Sequence, residues 1–454
     1  MSALGSEEAV RRMHERWTGD FDGIVERRIV RVLTAYSKTG FFQDGIEQKG
    51  VNAEAFREFE KEINERLHTN NSNRVHVMMI PVSRDEILPG LVEGRGDLAS
   101  ANLTITPERL ELVDFSVPEL ENVSEIAVTP KGVPRFTKPE DLSGKDVHVR
   151  ASSSYFASLT RLNVELRRAD KPPVNIVKAD ELLENEDLLE MVNAGLIPIT
   201  VVDSHIADFW DKVFDNIELH PLAAVRRGAR IGIAFRKNSP KLAAVVNDFV
   251  RANRAGTFYG NILLRRYLKK TDFVRNAASA EEMKHFQETI ALFRKYAAQY
   301  GFDSLMVAAQ GYQESHLDQG KRSPRGAIGV MQLLPGTAKD VGVPDIGQAE
   351  SNINAGIRYL RRIYDTQFKN APMSPIDKGL FCFAAYNAGP GRVSQLRKKA
   401  AKMGLDPNRW FRNVEVVAAQ EIGRETVQYV SNIYKYYVSY RLVLEQHEKK
   451  KPKT

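Results

Sequence analysis

The hydrophobic period of this chain changes once, near residue 270, and that change limits the folds open to it. Before it, short apolar runs alternate with segments whose apolar residues recur every three or four positions. Ile29, Val30, Val32 and Leu33 form a mostly β-branched run suited to a buried first strand. Asn52 to Leu67 follows as an amphipathic helix with Phe56, Phe59, Ile63 and Leu67 on one face. Val75 to Val82 is the next strand, Ser83 stands in N-cap position before a helix, and DLASANLTIT is a further strand. This alternation predicts an α/β fold with a largely parallel sheet. A second α/β unit starts near Lys131, and RIGIAFRKNSP reads as a strand returning toward the first. At 454 residues the chain is too long for one core, so two or three domains are expected.

Beyond the change, few strand-like runs occur. Thr271 to Ala278 reads as a linker, and Ser279 with Glu282 has capping-box spacing for the helix that follows. Helices are expected at Ser279 to Tyr300, Asp303 to Ser315, Pro335 to Val341, Ser351 to Phe368, Asp377 to Asn387, Pro390 to Met403, Asn408 to Val414 and Glu421 to His447. The boundaries expected are an N-terminal segment 1–27 with a short charged helix from Glu7 to Trp17, an α/β domain 28–268, a linker 269–278, an all-α domain 279–447 and a basic tail 448–454.

No run is apolar and long enough to span a bilayer, and MSALGSEEAVRRMHERW lacks the apolar region of an export signal. The single cysteine, Cys382, lies in an apolar run and reads as a buried thiol. The nine histidines show no metal-ligand spacing. The net charge of +7 fits an acidic partner, either nucleic acid or an anionic envelope polymer. The basic residues are dispersed and carry no aromatic-basic motif, which ranks nucleic acid last.

In the α/β region, Thr104 and Thr106 end a strand and Arg109 follows a turn. Ligands of open α/β sheets sit beyond strand carboxyl ends, where a guanidinium offers a planar fork for a carboxylate. A surface ion pair is the plainer role for such an arginine. Ser152 to Ser154 open a helix, as an anion site or simply a cap. Asp203 ends a strand, positioned to pair a ligand ammonium or to cap the next helix.

Four pieces of the helical region stand out: Gln313-Glu314-Ser315, Ser323-Pro-Arg-Gly-Ala through Gly329-Val-Met-Gln-Leu, Ala384-Ala-Tyr-Asn-Ala-Gly-Pro-Gly, and Arg424-Glu-Thr-Val-Gln-Tyr-Val. Glu314 falls at the C-terminal end of its helix, where the macrodipole disfavours a carboxylate. Apolar surroundings would add to that and favour the protonated form, as a general acid needs. Glycines beside polar residues let backbone approach a ligand, and Gln332 and Asn387 can hydrogen-bond sugar hydroxyl and acetamido groups. Tyr386 can stack or donate its hydroxyl. Singly, each piece has a plainer reading: a solvated Glu, a helix stop at Asn387-Ala-Gly-Pro-Gly, a core Met331.

Together and in this order, the four pieces closely resemble the lysozyme-like soluble lytic transglycosylase domain. The earlier region resembles the periplasmic solute-binding domain of the amino-acid type, through Gly96-Asp97, Thr104-Ile-Thr-Pro-Glu-Arg109, Asp114-Phe-Ser-Val-Pro118 and Arg230 to Pro240. The fusion resembles the membrane-bound lytic transglycosylase F family. That resemblance implies a two-lobed α/β periplasmic-binding-protein fold followed by an all-α lysozyme-like domain. It also implies a periplasmic protein at the outer membrane, with peptidoglycan glycan strands as substrate and with no metal or organic cofactor.

On the same resemblance, Glu314 would protonate the bond between N-acetylmuramic acid and N-acetylglucosamine. It would then act as base toward the muramoyl C6 hydroxyl, which closes a 1,6-anhydro ring. Ser323, Gln332, Tyr386 and Asn387 would contact substrate, Met331 would line the groove, and Glu425 would lie near the site and support it. Thr104, Thr106, Arg109 and Asp203 would hold an amino acid or cell-wall peptide that modulates cleavage. Ordinary glycosidases need two carboxylates, and near Glu314 in sequence stands only Asp318, which reads as solvated. A tethered hydroxyl removes that need. Two other readings compete: a lysozyme-type hydrolase, distinguished by product mass, and a non-catalytic cell-wall or amino-acid sensor that would keep every activity in Glu314→Gln.

Overall fold

The structure is a computed structural model and describes residues 15–44, 47–257, 280–422 and 424–450. The chain forms two compact units that divide near residue 275. The expected linker and most of the Glu7–Trp17 helix lie outside the described residues, as do the side chains of the Ser279–Glu282 box and the end of the basic tail. Residues 15–19 are described and are not helical.

In the N-terminal unit, β1 (Ile29–Thr34) is followed by a small ribbon, β2 (Phe42–Asp44) and β3 (Glu47–Lys49). β1 lies between β4 (His76–Pro81) and β5 (Leu98–Thr104), parallel to both. The short β6 (Asp114–Phe115) precedes a long strand, β7 (Leu120–Pro130). β8 (Asp146–Arg150), β9 (Asn175–Ala179) and β10 (Thr200–Asp203) form a second parallel set. β11 (Ile217–His220) pairs with β7, and β12 (Arg226–Phe235) closes the series.

The sheet order is β4-β1-β5-β12-β7-β10-β8-β9, with β7 and β12 antiparallel to each other and to the sets they join. The sheet is therefore mixed, not largely parallel. Two long strands carry the chain between halves; the end of β12 falls in the expected RIGIAFRKNSP strand, whereas its start and β7 are hard to read. Register shifts at Arg226/Ala229 and Ala229/Ile231 break the period of two, and the first half of β7 is exposed.

Helices cover both faces. They are α1 (Phe21–Arg27), α2 (Val51–Arg66), α3 (Arg84–Val92), α4 (Pro107–Leu112), α5 (Ser154–Arg168), α6 (Asn185–Asn193), α7 (Ser204–Trp210) and α8 (Pro240–Asn253). Side chains alternate across β1: Val30 and Val32 pack on Phe56, Phe59, Ile63 and Val246, while Leu33 packs on Ile87 and Leu91. Between these layers Asp97, fully buried, accepts from the Arg31 backbone (2.9 Å) and guanidinium (2.9 and 3.1 Å) and from Arg236 (3.4 Å). That ties the starts of β1 and β5 to the end of β12. Gly96, beside it, has no room for a side chain, since a Cβ would meet Leu33 at 2.4 Å.

The C-terminal unit is helical: α9 (Ala280–Tyr300), α10 (Ser304–Ser315), α11 (Pro335–Asp340), α12 (Ala349–Ile363), α13 (Pro375–Ala388), α14 (Pro390–Lys402), α15 (Glu415–Glu421) and α16 (Arg424–Lys450). α10 is the central helix, buried along most of its length and packed on α9 and α16. Gly311 admits Phe293 of α9, which stands 2.7 Å from where a Cβ would be. Two expectations shift here. Asn408 to Val414 holds only an irregular turn with Arg412 at φ 68°, and α15 follows where none was expected. The last helix starts at Arg424, not Glu421. Cys382 is buried in α13, as expected.

Candidate active site

Asp303 opens α10 by accepting from the backbone N–H of Leu305 (2.8 Å) and Met306 (3.2 Å). At the other end His316 turns left-handed (φ 61°), and its N–H bonds the Tyr312 carbonyl at 2.8 Å. Glu314 lies in this last turn. The next residue explains the Glu-Ser pair: Ser315, buried, donates to the Val330 carbonyl at 2.8 Å and so fixes the helix end to the following loop.

That loop is built from turns. Ser323 Oγ accepts from Ala327 N–H at 2.9 Å, and single bridges join Ile328 to Arg322 and to Leu333. Asn352 of α12 clamps it from below, donating to the Ile328 carbonyl (2.8 Å) and accepting from Met331 N–H (2.7 Å). Gly329 is required, because at φ 75° a Cβ would stand 2.5 Å from Gln319 and 2.8 Å from Asn352. Gln332 turns left-handed at φ 44°, and its amide donates to the Gly329 (2.9 Å) and Lys321 (3.2 Å) carbonyls.

Over this loop, Tyr386 at the end of α13 donates to the Met331 carbonyl at 2.8 Å. Burial first, and the Glu314 charge second, push the Tyr386 hydroxyl well above its usual pKa. Asn387 accepts from Thr426 of α16 at 2.7 Å, which leaves its amide free to donate. From α16, Tyr429 donates to Glu314 Oε1 at 2.6 Å and itself accepts from Gln310 at 3.1 Å. Lys321 donates to the Glu314 backbone carbonyl at 3.0 Å. Burial lifts the Glu314 carboxyl from 4.5 to about 7, against the opposing pull of Tyr429 and Lys321. Among the described residues, none of the groups acting on Glu314 is a second carboxylate. The arrangement is a half-buried acid on a rigid helix end, beside a loop of peptide groups and amides.

In the N-terminal unit, Arg109 donates to the carbonyls of Thr104 (2.9 Å) and Ser152 (3.1 Å). Ser154 joins the Thr104 hydroxyl at 3.2 Å. Asp203, buried, accepts from Asn102 at 2.6 Å, and burial raises its carboxyl to about 6 against the pull of Asn102, Tyr155, Arg84 and Arg109. Thr104, Arg109 and Asp203 are thus brought together. Thr106 is not: its hydroxyl caps α4, accepting from Arg109 N–H at 3.3 Å. Ser152 is no open anion site, since Glu181 takes both its N–H (3.0 Å) and hydroxyl (2.6 Å). A cavity beside this cluster is lined by Asn52, Arg84, Asn102, Glu186, His205 and Trp210, among others.

Residues 291–407 match the family described as Transglycosylase SLT domain, and residues 29–269 match Bacterial extracellular solute-binding proteins, family 3. A protein of Desulfosudis oleivorans named membrane-bound lytic murein transglycosylase F is 31% identical over 78% of this chain and 79% of its own length. The chain belongs to that family. One of the same name from Ectopseudomonas mendocina is 29% identical over 90% of this chain and 83% of its own. Among solved structures, an ancestral arginine-binding protein bound to arginine aligns at 22% identity with 53% of this chain and 97% of its own, with a TM-score of 0.43.

Of the residues the family resemblance assigned, the structure gathers Glu314, Gln332, Tyr386 and Asn387 with the Ser323 turn. Met331 is a correction: its side chain is 0% exposed and packs on Gly356, where a Cβ would meet it at 2.7 Å, so only its peptide groups face the loop's partners. Glu425 is exposed in the first turn of α16, one residue before the Thr426–Asn387 bond. Tyr429, Gln310 and Asn352 were missed as site residues. Tyr429 falls inside the last of the four marked pieces and Gln310 inside the helix expected at Asp303 to Ser315, but nothing in the spacing shows that they meet.

Proposed function

We propose that this chain cleaves peptidoglycan as a lytic transglycosylase, with Glu314 as both acid and base. Protonated Glu314 gives its proton to the glycosidic oxygen between N-acetylmuramic acid and N-acetylglucosamine, and the bond from muramoyl C1 breaks. The resulting carboxylate takes the proton of the muramoyl C6 hydroxyl, whose oxygen bonds C1 and closes the 1,6-anhydro ring. The proton balance closes, and no water is consumed. The observation that carries this reading is the placing of one carboxyl, in the last turn of α10 and bonded by Tyr429 at 2.6 Å, where burial raises its pKa and no carboxylate partner acts on it among the described residues. A two-carboxylate mechanism would need that partner within about 10 Å, whereas a tethered hydroxyl replaces it. Tyr386, Asn387, Gln332 and the Ser323 turn would hold the sugars. Glu314→Gln keeps the size of the side chain, and its release of soluble fragments should fall about a hundredfold or more. Release at the wild-type rate would overturn the assignment.

The N-terminal unit, on the same reading, binds an amino acid or cell-wall peptide through Arg109, Asp203 and Thr104 and so modulates cleavage. Modulation requires that the ligand favour one arrangement over another. Turnover that stays constant as candidate amino acids and peptides are raised to saturation would count against it. On the same reading the protein works in the periplasm, attached to the outer membrane; the relatives' name, membrane-bound lytic murein transglycosylase F, supports a membrane attachment. Among the described residues, no helix is long and apolar enough to cross a membrane.

A further inference from the structure

Gln310 lies one helical turn before Glu314 on the same face of α10 and is completely buried. Its amide nitrogen donates to Tyr429 Oη at 3.1 Å, and its amide oxygen has no partner among the described residues. A buried amide oxygen left unpaired is costly, so its retention in the central helix needs a reason. Tyr429 has one proton to give. With an N–H already arriving from Gln310, that proton is directed at Glu314 Oε1, 2.6 Å away. Had the amide faced the other way, Gln310 and Glu314 would both be acceptors competing for it.

The consequence reaches the acid itself. In a protonated carboxyl the carbonyl oxygen is the stronger acceptor, so the short bond from Tyr429 favours Oε1 as the carbonyl oxygen and the acid proton on Oε2. We propose that Gln310 is a positioning residue: it fixes the direction of the Tyr429 proton and thereby places the acid proton of Glu314 on one oxygen. This rests on Glu314 being the acid.

The test follows peptidoglycan turnover against pH for wild type, Gln310→Leu, Gln310→Glu, Tyr429→Phe and the Tyr429→Phe/Gln310→Leu double variant. Glu314→Gln serves as control, and thermal unfolding is measured for each. A general acid works protonated, so kcat falls as pH rises through its pKa, and weaker donation to the carboxylate moves that fall upward. Gln310→Leu should move it up by about half a pH unit, because Tyr429 still donates but without a fixed direction. Gln310→Glu turns the donor into a competing acceptor and adds a negative neighbour. It should move the fall by about one unit or more and cut the plateau about tenfold. In the Tyr429→Phe background Gln310→Leu should add no shift. A pH profile that stays in place while kcat and Tm drop would mean that Gln310 is merely structural. A shift that persists without Tyr429 would mean that it acts by another route. Either result overturns the proposal while leaving the acid in place. Turnover retained by Glu314→Gln would remove the acid and the proposal with it.

Discussion

Replacing Tyr429 with Phe deletes one oxygen and tests what holds Glu314 at its pKa. The hydroxyl donates to the carboxyl at 2.6 Å, a short bond to a group that carries charge when ionised. Such bonds contribute about 1.5–3 kcal/mol. At 1.36 kcal/mol per unit, their loss raises the pKa of the acceptor by about 1–2 units. Burial, the dominant cause of the shift, stays, so Glu314 should move from about 7 to about 8–9. The sign is fixed by the role: the protonated form is active, so the alkaline fall in kcat/KM moves up by the same 1–2 units, roughly. Turnover should change least at acidic pH, where both proteins hold the proton, and the variant should outlast wild type above pH 8, roughly. The assay is release of soluble fragments from purified peptidoglycan across pH, with Glu314→Gln as baseline. An alkaline fall that stays where wild type has it, or moves down, would refute the assignment of Tyr429 as the donor that tunes this acid.

Asp97→Ala leaves the fully buried Arg31 and the largely buried Arg236 without their carboxylate. Thermal or denaturant unfolding should show a loss of about 3–5 kcal/mol in the N-terminal unit. Gly356→Ala places a methyl 2.7 Å from Met331 in a sealed contact. It should cost about 1–3 kcal/mol and reduce turnover by displacing the loop that follows Glu314, with a crystal structure or unfolding curve as the check.

What could be read from the sequence divides along physical lines. β1 announced itself because buried strands concentrate β-branched residues, and α2 because Phe56, Phe59 and Ile63 recur on one face. β7 did not, since its exposed first half carries Glu121 and Asn122 and the alternation fails where its partner bulges. α15 was hidden by the irregular turn before it, where Arg412 adopts a left-handed backbone. Glu314 was legible from its motif and its helix end. Its partner Tyr429 was not, because the two are 115 residues apart and only the packing of α16 on α10 joins them. Met331 shows the converse: a residue inside a recognisable motif whose side chain serves the core beneath the loop.

The central claim is that one carboxyl cleaves the glycan without water. Mass spectrometry of purified peptidoglycan digested with wild type and with Glu314→Gln tests it directly. The account predicts anhydromuramoyl products from wild type and none from the variant. Products one water heavier, with reducing ends, would contradict it and require a second carboxylate.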